Sequence, residues 1–168
     1  RTEHPLNSDL KKKIARFCNV EKDAVIESMD ASTIYEVPIL MQKEGLDRVV
    51  LRKLGIKNNT EINLQQWHKF LEGLQNPKQK ITIGLVGKYV ELQDAYKSIS
   101  EAIIHAGSKT SCEISVRWIH AEKINCSNVS KKLSGLRGVI VAPGFGDRGI
   151  EGKISSIKYL RENNVPFL

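Results

Sequence analysis

The sequence predicts an α/β fold whose second half is a doubly wound parallel sheet, and three observations support this prediction. From Ile81 onward, short apolar runs alternate with amphipathic stretches, which is the strand–helix order of a parallel sheet. The polar run 76–80 contains a proline and separates this part from a mainly helical region. A glycine-rich turn follows the apolar run 138–142 and leads into a helical pattern, as at the carboxyl edge of an open sheet.

The patterns before this boundary predict a mainly helical region. Asp9 is a suitable N-cap for a first short helix that runs through Phe17. Apolar spacing and glycine stops predict the other elements, which are a short strand at 24–28, helical segments at 39–44 and 47–54, and an amphipathic helix at 64–73.

After the boundary, strand and helix patterns alternate. The predicted strands are at 81–86, 113–119, 138–142 and 165–168, and the predicted helices are at 96–106, 128–133 and 153–162. Gly107 is predicted to cap the first of these helices. This order implies a parallel, doubly wound, flavodoxin-like sheet, of which the sequence is expected to contain roughly the first half.

Composition and charge narrow the range of partners. The chain has 168 residues, of which 40% are hydrophobic and 27% charged, as in ordinary soluble globular proteins. Its net charge of +7 favours anionic partners such as phosphorylated small molecules. Nucleic acid is disfavoured, because the basic residues are scattered apart from 11–13, and only 6% of residues are aromatic.

The cysteines and the apolar runs indicate a compartment. Cys18, Cys112 and Cys126 are an odd number with no CxxC spacing, which argues against a disulfide scaffold and against a zinc site. No apolar run approaches the roughly 20 residues that span a bilayer, and no signal peptide heads the chain. We therefore expect a cytoplasmic protein with no membrane partner and no metal ligands in this sequence.

The run from Ala142 to Lys153 combines a proline and four glycines with charged residues. Glycine lets backbone N–H groups approach a substrate, and such donors can stabilise a developing oxyanion by roughly 3–4 kcal/mol each. From composition alone, a purely structural turn between strand and helix is equally compatible with this run. The glycines match neither the GxGxxG fingerprint nor the phosphate-binding P-loop.

This run resembles the "PGGFG-x-RG-x-EGK" loop of the class I glutamine amidotransferase domain in the CTP synthase family. The sequence departs from the family pattern at its start, where Ala142-Pro143 replaces the commoner Pro-Gly. Gly144 is kept at the position that supplies the oxyanion-hole N–H in the family. The resemblance therefore implies a catalytic role for the Gly144 N–H.

A second resemblance lies at 11–20. A basic run of this kind is ordinarily a solvated helix face. It is also similar to the "KIAxFCNV" run at the end of the amidoligase domain of CTP synthases, and the similarity continues through "TIYEVP" at 33–38. The family pattern implies that Lys13 contacts the phosphates of a pyrimidine nucleotide, UTP or CTP, and that Phe17 and Asn19 lie close to it.

The same resemblance implies an ATP site in the first region. Arg1, Asp30 and Ala31 match the positions that border the adenine of ATP. A carboxylate such as Asp30 can accept a hydrogen bond from an exocyclic amine, which is consistent with a position beside adenine.

The run 86–98 leaves a strand and opens a helix, with Asp94 as a predicted cap. From spacing alone, a capped turn and a ligand-binding loop are equally compatible. The run resembles the family's "VGKYxxLxDAYxS" segment, near which the allosteric activator GTP is expected to bind. Lys88, Arg148 and Glu151 are the candidates for that region.

The chain lacks other parts that this family requires. Neither a GxCxG nucleophile elbow nor a phosphate loop occurs in it. The resemblance implies that the elbow cysteine follows Leu168, and that the ATP loop and the Mg²⁺ ligands precede Arg1. We therefore predict a part of a longer polypeptide that is inactive alone, with residues 1–78 ending an α/β amidoligase domain of P-loop type and residues 79–168 beginning the amidotransferase domain.

As a whole, the resemblance implies an ATP-dependent ligase that converts UTP to CTP with ammonia from glutamine. The implied partners are UTP, ATP with Mg²⁺, glutamine and GTP, and the implied assembly is a homotetramer. Two alternatives remain open at this point. One is the glutaminase part of a different amidotransferase, and the other is a non-catalytic, flavodoxin-like nucleotide-binding module.

Overall fold

A computed structural model of the chain describes residues 1–57, 60 and 62–168. The contacts divide it into two compact units, residues 1–64 and residues 65–168. The predicted domain boundary between residues 78 and 79 concerns the longer polypeptide and stays a prediction. In the described chain, the amphipathic helix after Leu64 belongs to the second unit.

The first unit is helical, as predicted. It contains α1 (Ser8–Cys18), α2 (Val37–Lys43) and α3 (Leu46–Lys53), with short 3₁₀ turns at Lys22–Ala24 and Ile34–Glu36. Gly45 and Gly55 follow α2 and α3 with φ of 78° and 66°, a conformation that glycine adopts without strain. The two predicted glycine stops are therefore confirmed.

Two local predictions for this unit are wrong. The N-cap of α1 is Asn7, whose side chain accepts the Leu10 N–H at 2.9 Å, and Asp9 lies in the first turn. No strand forms at 24–28, and the described backbone makes a parallel bridge just after this segment, between Thr2 and Met29. The buried side chain in this segment is a carboxylate, Glu27, so polar contacts take the place of an apolar strand face.

Glu27 and Glu44 share one cation. The Lys11 ammonium lies 3.1 Å from the Glu27 carboxylate and 2.9 Å from the Glu44 carboxylate. The hydrogen bond from Lys11, opposed by partial burial, lowers the pKa of Glu44 below its ordinary value. The hydrogen bond to Glu44 likewise raises the pKa of Lys11.

We expect Lys11→Met to lower the free energy of unfolding by about 2 kcal/mol near neutral pH, because Glu27, only 7% exposed, loses its cation. Lys12→Met is the matched control, since the ion-pair partner of Lys12 in the described part of the chain is the highly exposed Asp9. Urea unfolding followed by circular dichroism measures both variants. Equal stability of the two variants would contradict the role of the cluster.

The same cluster predicts a pH dependence. Glu44 has a lowered folded-state pKa, so its contribution is present above the unfolded pKa of about 4.3 and is lost as the pH falls through the lowered value. The stability difference between the unmodified chain and Lys11→Met is therefore expected to shrink in acid. A difference that is unchanged across this range would contradict the assignment.

The second unit is an α/β layer structure. Its elements are α4 (Gln65–Gln75), β1 (Gln79–Gly87), α5 (Lys97–Thr110), β2 (Cys112–His120), α6 (Val129–Leu133), β3 (Val139–Val141) and α7 (Ile150–Glu162). The strands are parallel in the order β2–β1–β3, with Gln79 opposite Cys112 and Gly84 opposite Val139. This is the start of a doubly wound, flavodoxin-like order, so the predicted fold class is confirmed.

The predicted last strand forms a short pairing. A parallel bridge joins Val139 to Phe167, and the Val141 N–H donates to the Leu168 carbonyl at 2.8 Å. Consecutive residues of β1 point to opposite faces, so Leu85 and Val86, both fully buried, enter separate apolar clusters. Helices cover both faces, as in parallel sheets generally.

The predicted cap at Gly107 is wrong. Helix α5 continues to Thr110 and ends at Ser111, whose φ is 52°. Gly107 is buried inside the helix, where a Cβ would lie 2.6 Å from the Cys112 carbonyl oxygen. Glycine is required there for close packing and not for the turn.

No helix in the described part of the chain combines the length and apolar character needed to cross a membrane.

Candidate functional site

Two loops meet where β1 and β3 end. Lys88 follows β1 directly, and the segment 142–149, here called the glycine-rich loop, follows β3. Ligands of open α/β sheets bind at these carboxyl ends. The adjacent strands therefore bring together two of the runs that the sequence singled out.

A buried tyrosine fixes the chain after β1. The Tyr96 hydroxyl accepts the N–H groups of Lys88 and Tyr89 at 2.9 and 3.2 Å. A Cβ at Gly87 would overlap that hydroxyl, so glycine is required at the end of the strand. The Tyr96 ring lies 6.1 Å from the Trp118 ring, in the apolar cluster on this face of the sheet.

We expect Tyr96→Phe to lower the free energy of unfolding by about 1–3 kcal/mol, because two N–H groups lose their acceptor in a largely buried place. Tyr89→Phe is the control, since the Tyr89 side chain is exposed and keeps its ring. Thermal and urea unfolding of the two variants test this. A Tyr96→Phe variant as stable as the control would show that the hydroxyl does not fix the loop.

Two lysines anchor the glycine-rich loop from inside. The Lys88 ammonium donates to the Phe145 carbonyl and, at 2.9 Å, to the Gly146 carbonyl. The Lys153 ammonium donates to the Ala142 carbonyl at 2.7 Å. Burial, and secondarily the charge of Lys88, lower the pKa of Lys153.

Gly144 lies between these cations. A Cβ at Gly144 would lie 3.6 Å from the Lys153 nitrogen and 3.7 Å from the Lys88 Cε. The Gly144 N–H donates to no atom of the residues that the structure describes, and Gly144 is exposed. The loop therefore offers a free backbone donor in a positively charged setting.

Arg148 joins the loop to its neighbours. Its Nε lies 2.6 Å from a Glu122 carboxylate oxygen, and a terminal nitrogen donates to the Lys88 carbonyl at 3.2 Å. Its guanidinium lies 5.2 Å from the centre of the Tyr89 ring. Glu151 is exposed in the first turn of α7, where a negative charge is favourable beside the N-terminal end of the helix dipole.

The structure thus brings Lys88 and Arg148 together, and it engages the Lys88 ammonium within the loop. Sequence reasoning did not select Tyr96, Glu122 or Lys153. Lys153 lay inside the quoted loop run, and a lysine one turn into the following helix was the signal for it. Tyr96 likewise lay inside the quoted run 86–98, whereas Glu122 lay in no quoted run, and the role of each depends on tertiary contacts.

The predicted nucleotide-binding residues lie in the first unit. Arg1 and Asp30 form an exposed ion pair at 2.6 Å, beside the half-buried Ala31. Lys13 and Phe17 are exposed on α1 at i, i+4 spacing, and Phe17 is 85% exposed.

Asn19 ends α1 with φ of 51°. It borders an open pocket of 440 Å³ that Lys12, Arg16 and Lys22 also line. Lys13 and Phe17 do not line this pocket.

The cysteines of the described chain are all free, and Cys112 is buried whereas Cys18 and Cys126 are exposed. Cys112 opens β2, so it does not lie on a turn from a strand into a helix. Among the described residues, no group of three or more His, Cys, Asp or Glu side chains is placed to hold a metal ion.

Comparisons with known proteins match both parts of the chain. Residues 1–56 match the family described as CTP synthase N-terminus, and residues 91–168 match the family described as glutamine amidotransferase class-I. A glutaminase part of a different amidotransferase is disfavoured, because the match at 1–56 belongs to CTP synthases.

Whole-chain relatives carry the same name. The CTP synthases of Flavobacterium johnsoniae and Christiangramia forsetii are 59% and 55% identical to the chain, over 99% and 100% of it and 31% of their own lengths. The CTP synthase of Methanocaldococcus jannaschii is 49% identical over 100% of the chain and 32% of its own length. The chain spans about a third of the length of these relatives, and it belongs to the CTP synthase family.

Proposed function

We propose that the chain contributes to a glutamine-dependent CTP synthase. In this reaction glutamine and water give glutamate and ammonia, ATP phosphorylates the uracil O4 of UTP, and ammonia displaces that phosphate to give CTP. The similarity to CTP synthases over the whole chain supports this proposal. The observation that carries it is the Gly144 N–H at the carboxyl edge of the sheet, which has no acceptor within the described ranges and lies where the reaction needs an oxyanion donor.

The role of Gly144 follows from the chemistry of amide hydrolysis. Attack of a cysteine thiolate on the glutamine amide carbon places negative charge on the amide oxygen. A fixed N–H aimed at that oxygen stabilises the charge as it develops. We assign the donor to Gly144 and the nucleophile to a cysteine other than Cys18, Cys112 and Cys126.

We assign the nucleotide substrates to the first unit. The Lys13 ammonium supplies a charge for the phosphates of UTP, and the product CTP takes the same place, with Phe17 and Asn19 beside the pyrimidine nucleotide. Arg1, Asp30 and Ala31 border the adenine of ATP, where a carboxylate oxygen of Asp30 accepts from the exocyclic amine. Mg²⁺ accompanies ATP on ligands outside this chain.

We assign the regulatory nucleotide GTP to the region of Lys88, Arg148 and Glu151. The Arg148 guanidinium beside the exposed Tyr89 ring supports this assignment, since both groups present flat faces to a base. The family also implies a cytoplasmic homotetramer, which we adopt as part of the proposal.

Assay of the full-length polypeptide that carries this chain tests the proposal. With UTP, ATP and Mg²⁺, we expect CTP formation from glutamine and from ammonium chloride, and stimulation by GTP only with glutamine. Nucleotide binding without CTP formation from either nitrogen source would favour a non-catalytic module and overturn the proposal. CTP formation from ammonia alone would overturn the glutaminase part.

A further inference from the structure

The glycine-rich loop has its acceptors and its donors on different sides. The carbonyls of Ala142, Phe145 and Gly146 accept from the Lys153 and Lys88 ammonium groups. The N–H groups of residues 144–148 donate to no atom of the described residues. Five consecutive N–H groups of this exposed loop are thus available to a ligand or to solvent, while the neighbouring carbonyl groups accept from the two lysines.

Because the lysines hold the loop carbonyl groups, peptide geometry fixes the direction of the N–H groups in the same peptides. In a trans peptide, the C=O and N–H groups point in opposite directions. Holding the Phe145 and Gly146 carbonyls on Lys88 therefore turns the N–H groups of Gly146 and Asp147 away from that lysine. Lys153 holds the carbonyl of the Ala142–Pro143 peptide, which has no N–H of its own, directly before the Pro143–Gly144 peptide.

The closeness of the Lys88 and Lys153 ammonium groups in a partly buried place costs electrostatic free energy, and this cost argues for a functional role of the two lysines. Lys88 is 4% exposed, and Lys153 is half-buried beside it. Two like charges near each other in a partly buried place are unfavourable unless nearby groups compensate. Here the loop carbonyls compensate them, and an anion on the donor side of the loop would do so further.

We infer that Lys153 is a positioning residue for the oxyanion donor, holding the loop through the Ala142 carbonyl so that the Gly144 N–H faces the substrate. This inference rests on the proposed glutaminase function. Lys88 acts on the other end of the loop in the same way, through the Phe145 and Gly146 carbonyls. Lys153 is not assigned a catalytic role of its own, because its ammonium group donates to the Ala142 carbonyl and not to the substrate.

Three variants of the full-length enzyme test the inference: Lys153→Met, Lys153→Arg and, as control, Lys158→Met on the exposed side of the same helix. We expect Lys153→Met to lower kcat with glutamine about 10- to 100-fold, with KM for glutamine within about twofold, because the donor is misplaced and not removed. Lys153→Arg is expected to recover part of the loss, since it keeps a charged donor. Ammonia-dependent CTP formation is expected to be equal in all variants.

A second readout does not depend on activity. Trypsin cleaves after Arg148, inside the exposed loop. We expect Lys153→Met to accelerate cleavage at this bond several-fold relative to Lys158→Met, because the loop loses an internal anchor. Both methionine variants remove one lysine, so the number of competing trypsin sites is the same in these two proteins.

The outcomes separate the two claims. An active unmodified enzyme with unchanged kcat and unchanged cleavage in Lys153→Met would overturn the positioning role alone. Equal losses with glutamine and with ammonia would also overturn it, since they indicate general destabilisation. An unmodified enzyme without glutamine-dependent activity would contradict the proposed function, and the positioning role in catalysis with it.

Discussion

Gly152→Ala is expected to destabilise the second unit by about 3 kcal/mol or more, the largest stability effect that the structure predicts. Gly152 lies in the first turn of α7, where a Cβ would overlap the Ala121 carbonyl oxygen. The Ile124 carbonyl oxygen would also lie 3.2 Å from it. Ala121 is completely buried, so relief requires a shift of α7 as a whole.

The sign of this effect separates packing from helix propensity. In an unpacked helix, replacing glycine with alanine stabilises by about 1 kcal/mol. The close approach at Gly152 reverses that expectation. Because α7 follows the glycine-rich loop, a shift of α7 also moves Lys153 and the loop that it anchors.

Urea unfolding of Gly152→Ala and Ser155→Ala, followed by circular dichroism, measures this effect. Ser155 lies one turn further along α7 and is half-buried, so its variant controls for substitution on this helix. We expect Ser155→Ala to change the free energy of unfolding by less than about 1 kcal/mol. A Gly152→Ala variant that is more stable than the unmodified chain would contradict the described packing of α7.

The same position shows what a sequence can and cannot predict here. The parallel sheet follows from apolar periodicity, which is a local signal, and its strand order agrees with the doubly wound pattern. The requirement for glycine at Gly152 and Gly107 comes from carbonyl groups that approach from other segments. A sequence shows the glycines but not the atoms that meet them, which is why Gly107 was predicted as a cap.

For the candidate site too, some features were predicted from the sequence and others are shown only by the structure. Gly144 was predicted from a motif, and the structure leaves its N–H unpaired among the described residues. Lys88 was predicted as a candidate for the GTP region, which stays a prediction, and the structure adds that its ammonium is engaged by two loop carbonyls. The segment around Glu27 was predicted as a strand from its short run of apolar and charged residues. Such a run does not reveal that the Glu27 carboxylate is buried and paired with Lys11.

A pair of variants at Gly144 tests whether its N–H stabilises the oxyanion. Gly144 lies outside the left-handed region, and a Cβ there would make ordinary van der Waals contacts of 3.6–3.8 Å. Gly144→Ala therefore keeps the N–H with little strain. Gly144→Pro has no N–H to donate.

The decisive measurement is kcat with glutamine for these two variants of the full-length enzyme, with ammonia-dependent CTP formation as the internal check of the fold. We predict that Gly144→Pro loses about 10²- to 10³-fold with glutamine and keeps its ammonia-dependent rate, as for removal of one oxyanion donor. Gly144→Ala is predicted to stay within about threefold of the unmodified enzyme. Equal glutamine-dependent activity of the alanine and proline variants would contradict the account.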